Sequence, residues 1–136
     1  GNISGVFGNG SLSPTYSSSP IQVGALNTWN KVSCWSGKIS SIKIDGTLWS
    51  WGSNSNGELG VGDTTNRSSP TPVFLPADFT CVNIINLFTA GTAQIKVFFG
   101  DDGRMFACGY NAHGMISADS TTNILAPIQV LTTLGG

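Results

Sequence analysis

At 136 residues the chain is long enough for one domain with a core and short for two. Charged side chains make up 10% of it, against about 25% in ordinary soluble proteins, and 6 Lys plus Arg stand against 7 Asp plus Glu. That balance excludes a basic field able to neutralise a row of phosphates, so nucleic acid is not expected as a partner. The longest apolar candidate, the interrupted Val82–Phe88 run, falls far below the ~18 residues that span a bilayer, so no membrane span is expected.

In chain order, Gly1 rather than Met opens a stretch that reads as a partial unit over residues 1–24, as in a processed or excerpted chain. In it Val6-Phe7-Gly8-Asn9 stands where Ser50-Trp51-Gly52-Ser53-Asn54 stands later, and Ser18-Ser19-Pro20 forms a corner. A full unit follows over about 25–75. Trp29–Cys34 alternates as a strand, and Ile39–Ile44 reads as the next strand. Asp45-Gly46 is a tight-turn signal, because glycine supplies the positive φ that a two-residue hairpin needs. Thr47–Trp51 is then the partner strand, with Trp49 and Trp51 on one face, and Gly52 ends it. Pro70–Phe74 is an extended segment that proline confines to an edge.

The second full unit, about 76–131, repeats the first. A shift of 57 residues carries Leu48 to Met105, Trp49 to Phe106, Gly52 to Gly109, Asn54 to Asn111, Gly57 to Gly114 and Pro70 to Pro127. The same shift takes Asp45-Gly46 onto Asp102-Gly103. A shift of 50 relates Ser18-Ser19-Pro20 to Ser68-Ser69-Pro70, Trp29 to Phe79 and Val32 to Val82. The seven-residue difference is expected as an insertion between Val82 and Gly103, and residues 132–136 read as a tail. No stretch carries a capped helical stripe, so the expected class is all-β.

The pattern from Trp29 through Val73, with I-K-x-D-G-x-L-W-x-W-G-x-N-x-x-G-x-L-G-x-G at its centre, resembles the repeat of the regulator of chromosome condensation family. Gly60 closes that motif, and Cys108 and Ser117 depart from it in the second unit. The resemblance implies four-stranded blades of a β-propeller that normally closes with about seven. About two and a half blades would then be completed by another chain or a larger assembly. It marks Asp45, Gly46, Trp49, Trp51, Gly52, Asn54, Gly57, Gly60, Pro70, Asp102, Gly103, Gly109, Asn111, Gly114 and Pro127 as structural repeat positions.

Candidate chemistry reads as architecture. Asp101-Asp102 near Lys96 and Arg104 could be a paired carboxylate, but Asp102-Gly103 sits at the hairpin turn. His113 is the only histidine and lies in a turn without a nucleophile motif. The glycine-dense Gly52–Gly62 stretch lacks the lysine and helix of a phosphate cradle, so no cofactor is expected. Cys34, Cys81 and Cys108 lack metal-ligand spacing and read as buried free thiols, with one disulfide as the alternative. The acceptor patterns at Asn2, Asn9 and Asn66 carry little weight in an Asn/Ser-rich chain. Trp29, Trp35, Trp49 and Trp51 could form a sugar platform but fit packing between blades better, and Arg67 is expected to hold Asp63.

With no residue left over for chemistry, the expected role is a non-enzymatic structural or interaction module. Its partners would be proteins: further copies, or a larger assembly such as a bacteriophage capsid or tail surface. A virion or extracellular surface is expected rather than the nucleus. The alternatives are a guanine-nucleotide exchange factor-like propeller fragment, which the family's namesake implies, and a glycan-binding surface module.

Overall fold

A computed structural model describes residues 4–13, 16–88, 94–117 and 119–130. Among them every regular element is a strand, and the strands form two four-stranded antiparallel sheets. The first runs β1 (Trp29–Trp35), β2 (Lys38–Lys43), β3 (Leu48–Gly52) and β4 (Arg67–Pro72). The second repeats it as β5 (Cys81–Phe88), β6 (Gln94–Gly100), β7 (Met105–Gly109) and β8 (Ile124–Gln129). Each sheet lies in sequence order, so each is a meander joined by turns.

The turn chemistry explains the hairpins. Between β2 and β3, Gly46 has φ +82° while the Asp45 carboxylate accepts the Thr47 amide at 3.0 Å and its hydroxyl at 2.6 Å. Between β6 and β7, Gly103 has φ +87° and Asp102 Oδ1 accepts the Arg104 amide at 3.0 Å. Pro70 lies inside β4, the outermost strand of its sheet, where a missing N–H leaves no ladder bond unmade.

The sheets stack face to face. Ile42, Leu48 and Val73 of the first unit meet Phe79, Phe98, Phe106 and the Cys81 and Cys108 side chains of the second in one buried cluster. Phe79 and Phe106 lie edge to face with centroids 4.8 Å apart, a favoured aromatic geometry.

Two alignments read from the sequence are corrected. Val32 faces Ser41 and Ile84 faces Phe98, so Ile84, not Val82, is the counterpart of Val32. The extra residues of the second unit therefore divide between the approach to β5 and the β5–β6 connection. The second correction concerns the start of the chain. Gly57, Gly60 and Gly62 close on Leu125, Cys108 and Phe74, and the Gly62 amide donates to the Leu125 carbonyl at 2.9 Å. Gly5 and Gly8 close in the same way on Ser68 and Trp51, and the Gly10 amide donates to the Ser68 carbonyl at 2.7 Å. Gly5–Gly10 is thus the counterpart of Gly57–Gly62, the loop after a third strand, rather than of Ser50–Asn54.

Candidate functional site

The repeat motif residues are held by backbone geometry. Gly52 and Gly109, with φ +100° and +110°, let the carbonyls of Gly37 and Gln94 approach so closely that a Cβ would sit 2.2 and 2.5 Å from them. Asn54 is fully buried. Its Nδ2 donates to the carbonyls of Asp63 (2.9 Å) and Thr65 (3.0 Å), and its Oδ1 accepts the Leu59 amide at 3.0 Å. Asn111 does the same in the second unit, donating to Ser120 (2.9 Å) and Thr122 (3.1 Å) and accepting the Ile116 amide at 2.9 Å. One side chain thus replaces missing ladder partners across the loop that joins the third and fourth strands of each unit. Pro127 lies in β8 with its Cδ 3.1 Å from where a Gly60 Cβ would stand, and Gly114 has φ +67°.

The tryptophans divide. Trp51 is buried, donates from Nε1 to the Val6 carbonyl at 2.9 Å and packs on Trp29 at 5.6 Å. Trp49 shares its face but is half-buried, with Lys43 Nζ 4.0 Å from its ring centre and 5.1 Å from that of Trp29. Arg67 reaches the Asp63 carboxylate with both nitrogens, at 3.1 and 2.7 Å, and holds that carboxyl below its usual range. Arg104 likewise holds Asp102 at 2.7 Å and reaches Asp78 at 3.3 Å. Lys96 is not part of that turn: it is fully buried between the sheets. His113 is in ring contact with Tyr110 at 5.9 Å. Cys34 is exposed, contrary to the expectation of a buried thiol, while Cys81 and Cys108 are buried and all three are free. Among the described residues no group of three ligating side chains is placed to hold a metal ion, and no helix is long and apolar enough to cross a membrane.

Sequence reasoning missed a polar layer sealed between the sheets. Lys96 Nζ donates to Ser40 Oγ, which lies 3.0 Å from Ser50 Oγ. Nearby, buried Lys38 pairs with buried Glu58 at 3.6 Å, and Glu58 also accepts the Asn56 amide at 2.9 Å. Burial pushes Lys96 down to about 8, with Cys108 the strongest influence opposing it, and pushes the Cys108 thiol up to about 12. A charged residue in a strand reads as a solvent-facing one unless its partner, here from the other unit, is known.

The opposite, outer face of the second sheet carries an open groove of about 250 Å³. Ile95, Val97 and Ala107 form its floor, and Ile85, Leu87 and Met115 its rim, 41, 44 and 59% exposed. Every lining side chain is apolar.

The family model described as the Regulator of chromosome condensation (RCC1) repeat matches residues 45–90. The chain is 27% identical to the ultraviolet-B receptor UVR8 of Arabidopsis thaliana across 96% of its own length, and 33% identical to the mouse secretion-regulating guanine nucleotide exchange factor across 68%. It spans 29% and 18% of those relatives. The crystal structure of human WBSCR16 superposes with a TM-score of 0.79 at 21% identity, over 98% of this chain and 34% of that one. The two stacked four-stranded meanders and the repeated glycine loops agree with these likenesses: the fold is that of β-propeller blades, and residues 45–90 match the RCC1 repeat.

Proposed function

We propose that the chain is a non-enzymatic structural and interaction module that works within a larger protein assembly, making contact through the outer face of its second sheet. The supporting observation is the wholly apolar groove on that face, beside motif residues already engaged in turns and loop networks. Proteins cover such apolar patches, and a patch with a half-exposed rim suits a protein partner better than a polar ligand. Low charge and Ser/Thr/Asn-rich loops support placing the assembly on a bacteriophage capsid or tail surface.

A second reading, an exchange-factor-like propeller fragment, is favoured by the similarity to the mouse exchange factor. Light scattering and nucleotide release separate the two. The proposal expects association that grows with concentration and weakens in Met115→Glu, with no acceleration of guanine-nucleotide release from a small GTPase. A dispersed monomer of 14.1 kDa with a cooperative thermal transition contradicts the assembly reading. Saturable nucleotide release, abolished by one point mutation, contradicts the non-enzymatic one. A sugar array addresses glycan binding, which the proposal expects to be negative.

A further inference from the structure

The free edge of β1 is bare where that of β5 is covered. Ser36 and Gly37, with φ +47° and +76°, form the two-residue turn that closes on the pair of Trp35 with Lys38, and that pair exchanges ladder bonds. Alternation along the strand then turns the N–H and C=O of Lys31 and Ser33 toward β2, and those of Val32 and Cys34 away from it. The next strand has the matching phase, because the Lys43 amide donates to Thr47 on the β3 side while the Ile44 amide donates to Thr28 on the β1 side. In β5 the corresponding outward amide, that of Ile84, is taken by Asn83 Oδ1 at 2.9 Å. Among the described residues nothing covers Val32 in this way, and its side chain is 68% exposed. A groove of about 220 Å³ lies open beside it, lined by Lys31, Val32, Ser33, Ile42, Asn83 and Ile84. The bulge at Asn30 and the turn at Ser36 bound the stretch, so the bare edge is residues 31–35.

We infer that this edge pairs with the same edge of a second copy, β1 against β1 in antiparallel register about a two-fold axis through Ser33. The stretch is its own complement in that register. Val32 lies opposite the second copy's Cys34, and Cys34 opposite its Val32, so the outward backbone groups of both strands are paired. Lys31 lies opposite Trp35, an ammonium-bearing chain beside an exposed indole, and Ser33 lies opposite Ser33, hydroxyl to hydroxyl. These fall in the non-hydrogen-bonded pairs, where facing side chains stand closest. Neighbouring axes fail. About Val32, Cys34 would face Asn30 at the bulge, and about Cys34, Val32 would face Ser36 in the turn. An edge that complements itself suits a second copy, because a two-fold contact puts the same patch on both sides. A bare edge is a template for pairing unless something blunts it, and Asn83 blunts β5 but nothing described blunts β1. This contact lies apart from the outer face of the second sheet. It gives the chain a second surface, so that an assembly can extend beyond a pair.

The test is disulfide trapping in the full chain, with Cys34→Ser removing the exposed native thiol and leaving the two buried ones. In that background Ser33→Cys places two thiols across the axis, where facing Cα atoms lie about 4.5 Å apart, within disulfide reach. In glutathione redox buffer this variant is expected to form a covalent dimer about tenfold faster, or more, than Lys31→Cys, whose copies lie far apart along the pair, each opposite Trp35. Adding Val32→Pro to the Ser33→Cys chain is expected to slow trapping about tenfold, since it removes an outward N–H while the β1–β2 ladder keeps its bonds. Equal rates for Ser33→Cys and Lys31→Cys, or no covalent dimer from either, overturn the inference, and that comparison does not depend on the proline variant. Trapping that Val32→Pro leaves unchanged also overturns it. Met115→Glu, on the outer face, is expected to leave Ser33→Cys trapping as it is, so the outer-face reading can fail while this one stands. Trapping lost with Met115→Glu overturns the second surface.

Discussion

Lys96 of the second sheet donates a hydrogen bond to Ser40 of the first, with both side chains shut off from solvent. The groups around it are Cys108, Lys38, Glu58 and Cys34, in that order of influence after burial itself. Burial takes Lys96 from 10.5 to about 8. Between those values the unfolded chain holds a proton that the folded chain has released, so this group makes stability rise with pH above about 8. The full slope is about 1.4 kcal/mol per pH unit.

Cys81 and Cys108 act in the opposite sense. Burial pushes their thiols up to about 11 and about 12 from 9.0, so above pH 9 the unfolded thiols ionise while the folded ones do not. Two thiols outweigh one lysine there. The expected outcome is a shallow stability maximum near pH 9, read as the urea midpoint at pH 7, 9 and 10.5. A midpoint that falls steadily from pH 7 upward would show that Lys96 stays charged throughout.

The two hairpin glycines should respond differently to the same change. A Cβ on Gly46 would stand 2.5 Å from Thr80 Cγ2, whereas one on Gly103 meets open space. Asn tolerates positive φ, so Gly103→Asn should alter stability by less than about 1 kcal/mol, while Gly46→Asn costs about 1–3 kcal/mol through overpacking. Val at either site should be damaging, since a β-branched residue resists φ near +80°. Equal denaturant midpoints for the two Asn variants would contradict this.

These hairpins were legible because local chemistry decides them: Asp-Gly between β-rich runs, with the Asp oxygen bonding two residues on. The strands were legible to within a few residues, and the largest shift is in β4, which begins at Arg67 rather than Pro70 because the Gly52–Arg67 pair extends it past a register break. Gly5–Gly10 was misaligned because its glycine spacing has meaning only once the sheet it closes on is in place. Lys38, Glu58 and Lys96 were opaque for the same reason. Each takes its partner from a distant part of the chain, and nothing in neighbouring residues marks it as buried. The outer groove needed the register as well, since Ile95, Val97 and Phe99 alternate with Gln94 and Lys96 and by that pattern read as the face turned to the core.

Asn54 and Asn111 should tolerate no replacement. Asn54→Ala removes both donors from the Asp63 and Thr65 carbonyls and the acceptor from the Leu59 amide in a buried site, a loss of about 2–4 kcal/mol. Asn54→Asp keeps the shape but turns a carboxylate toward two carbonyls, so it should be no better than Ala. Equilibrium unfolding in which Asp matches the parent would mean that the loop is held otherwise.

The proposed working surface is the outer face of the second sheet, and peroxide oxidation of Met115, followed by mass spectrometry of the full chain, probes it directly. Met115 is 59% exposed on the rim of the groove in the single chain. At concentrations where the chain is assembled, Met115 should oxidise several-fold more slowly than after dilution, and Ile85→Asp on the same rim should abolish the protection. Equal oxidation rates in the assembled and diluted chain would show that this face stays open to water, contradicting its role as the contact surface.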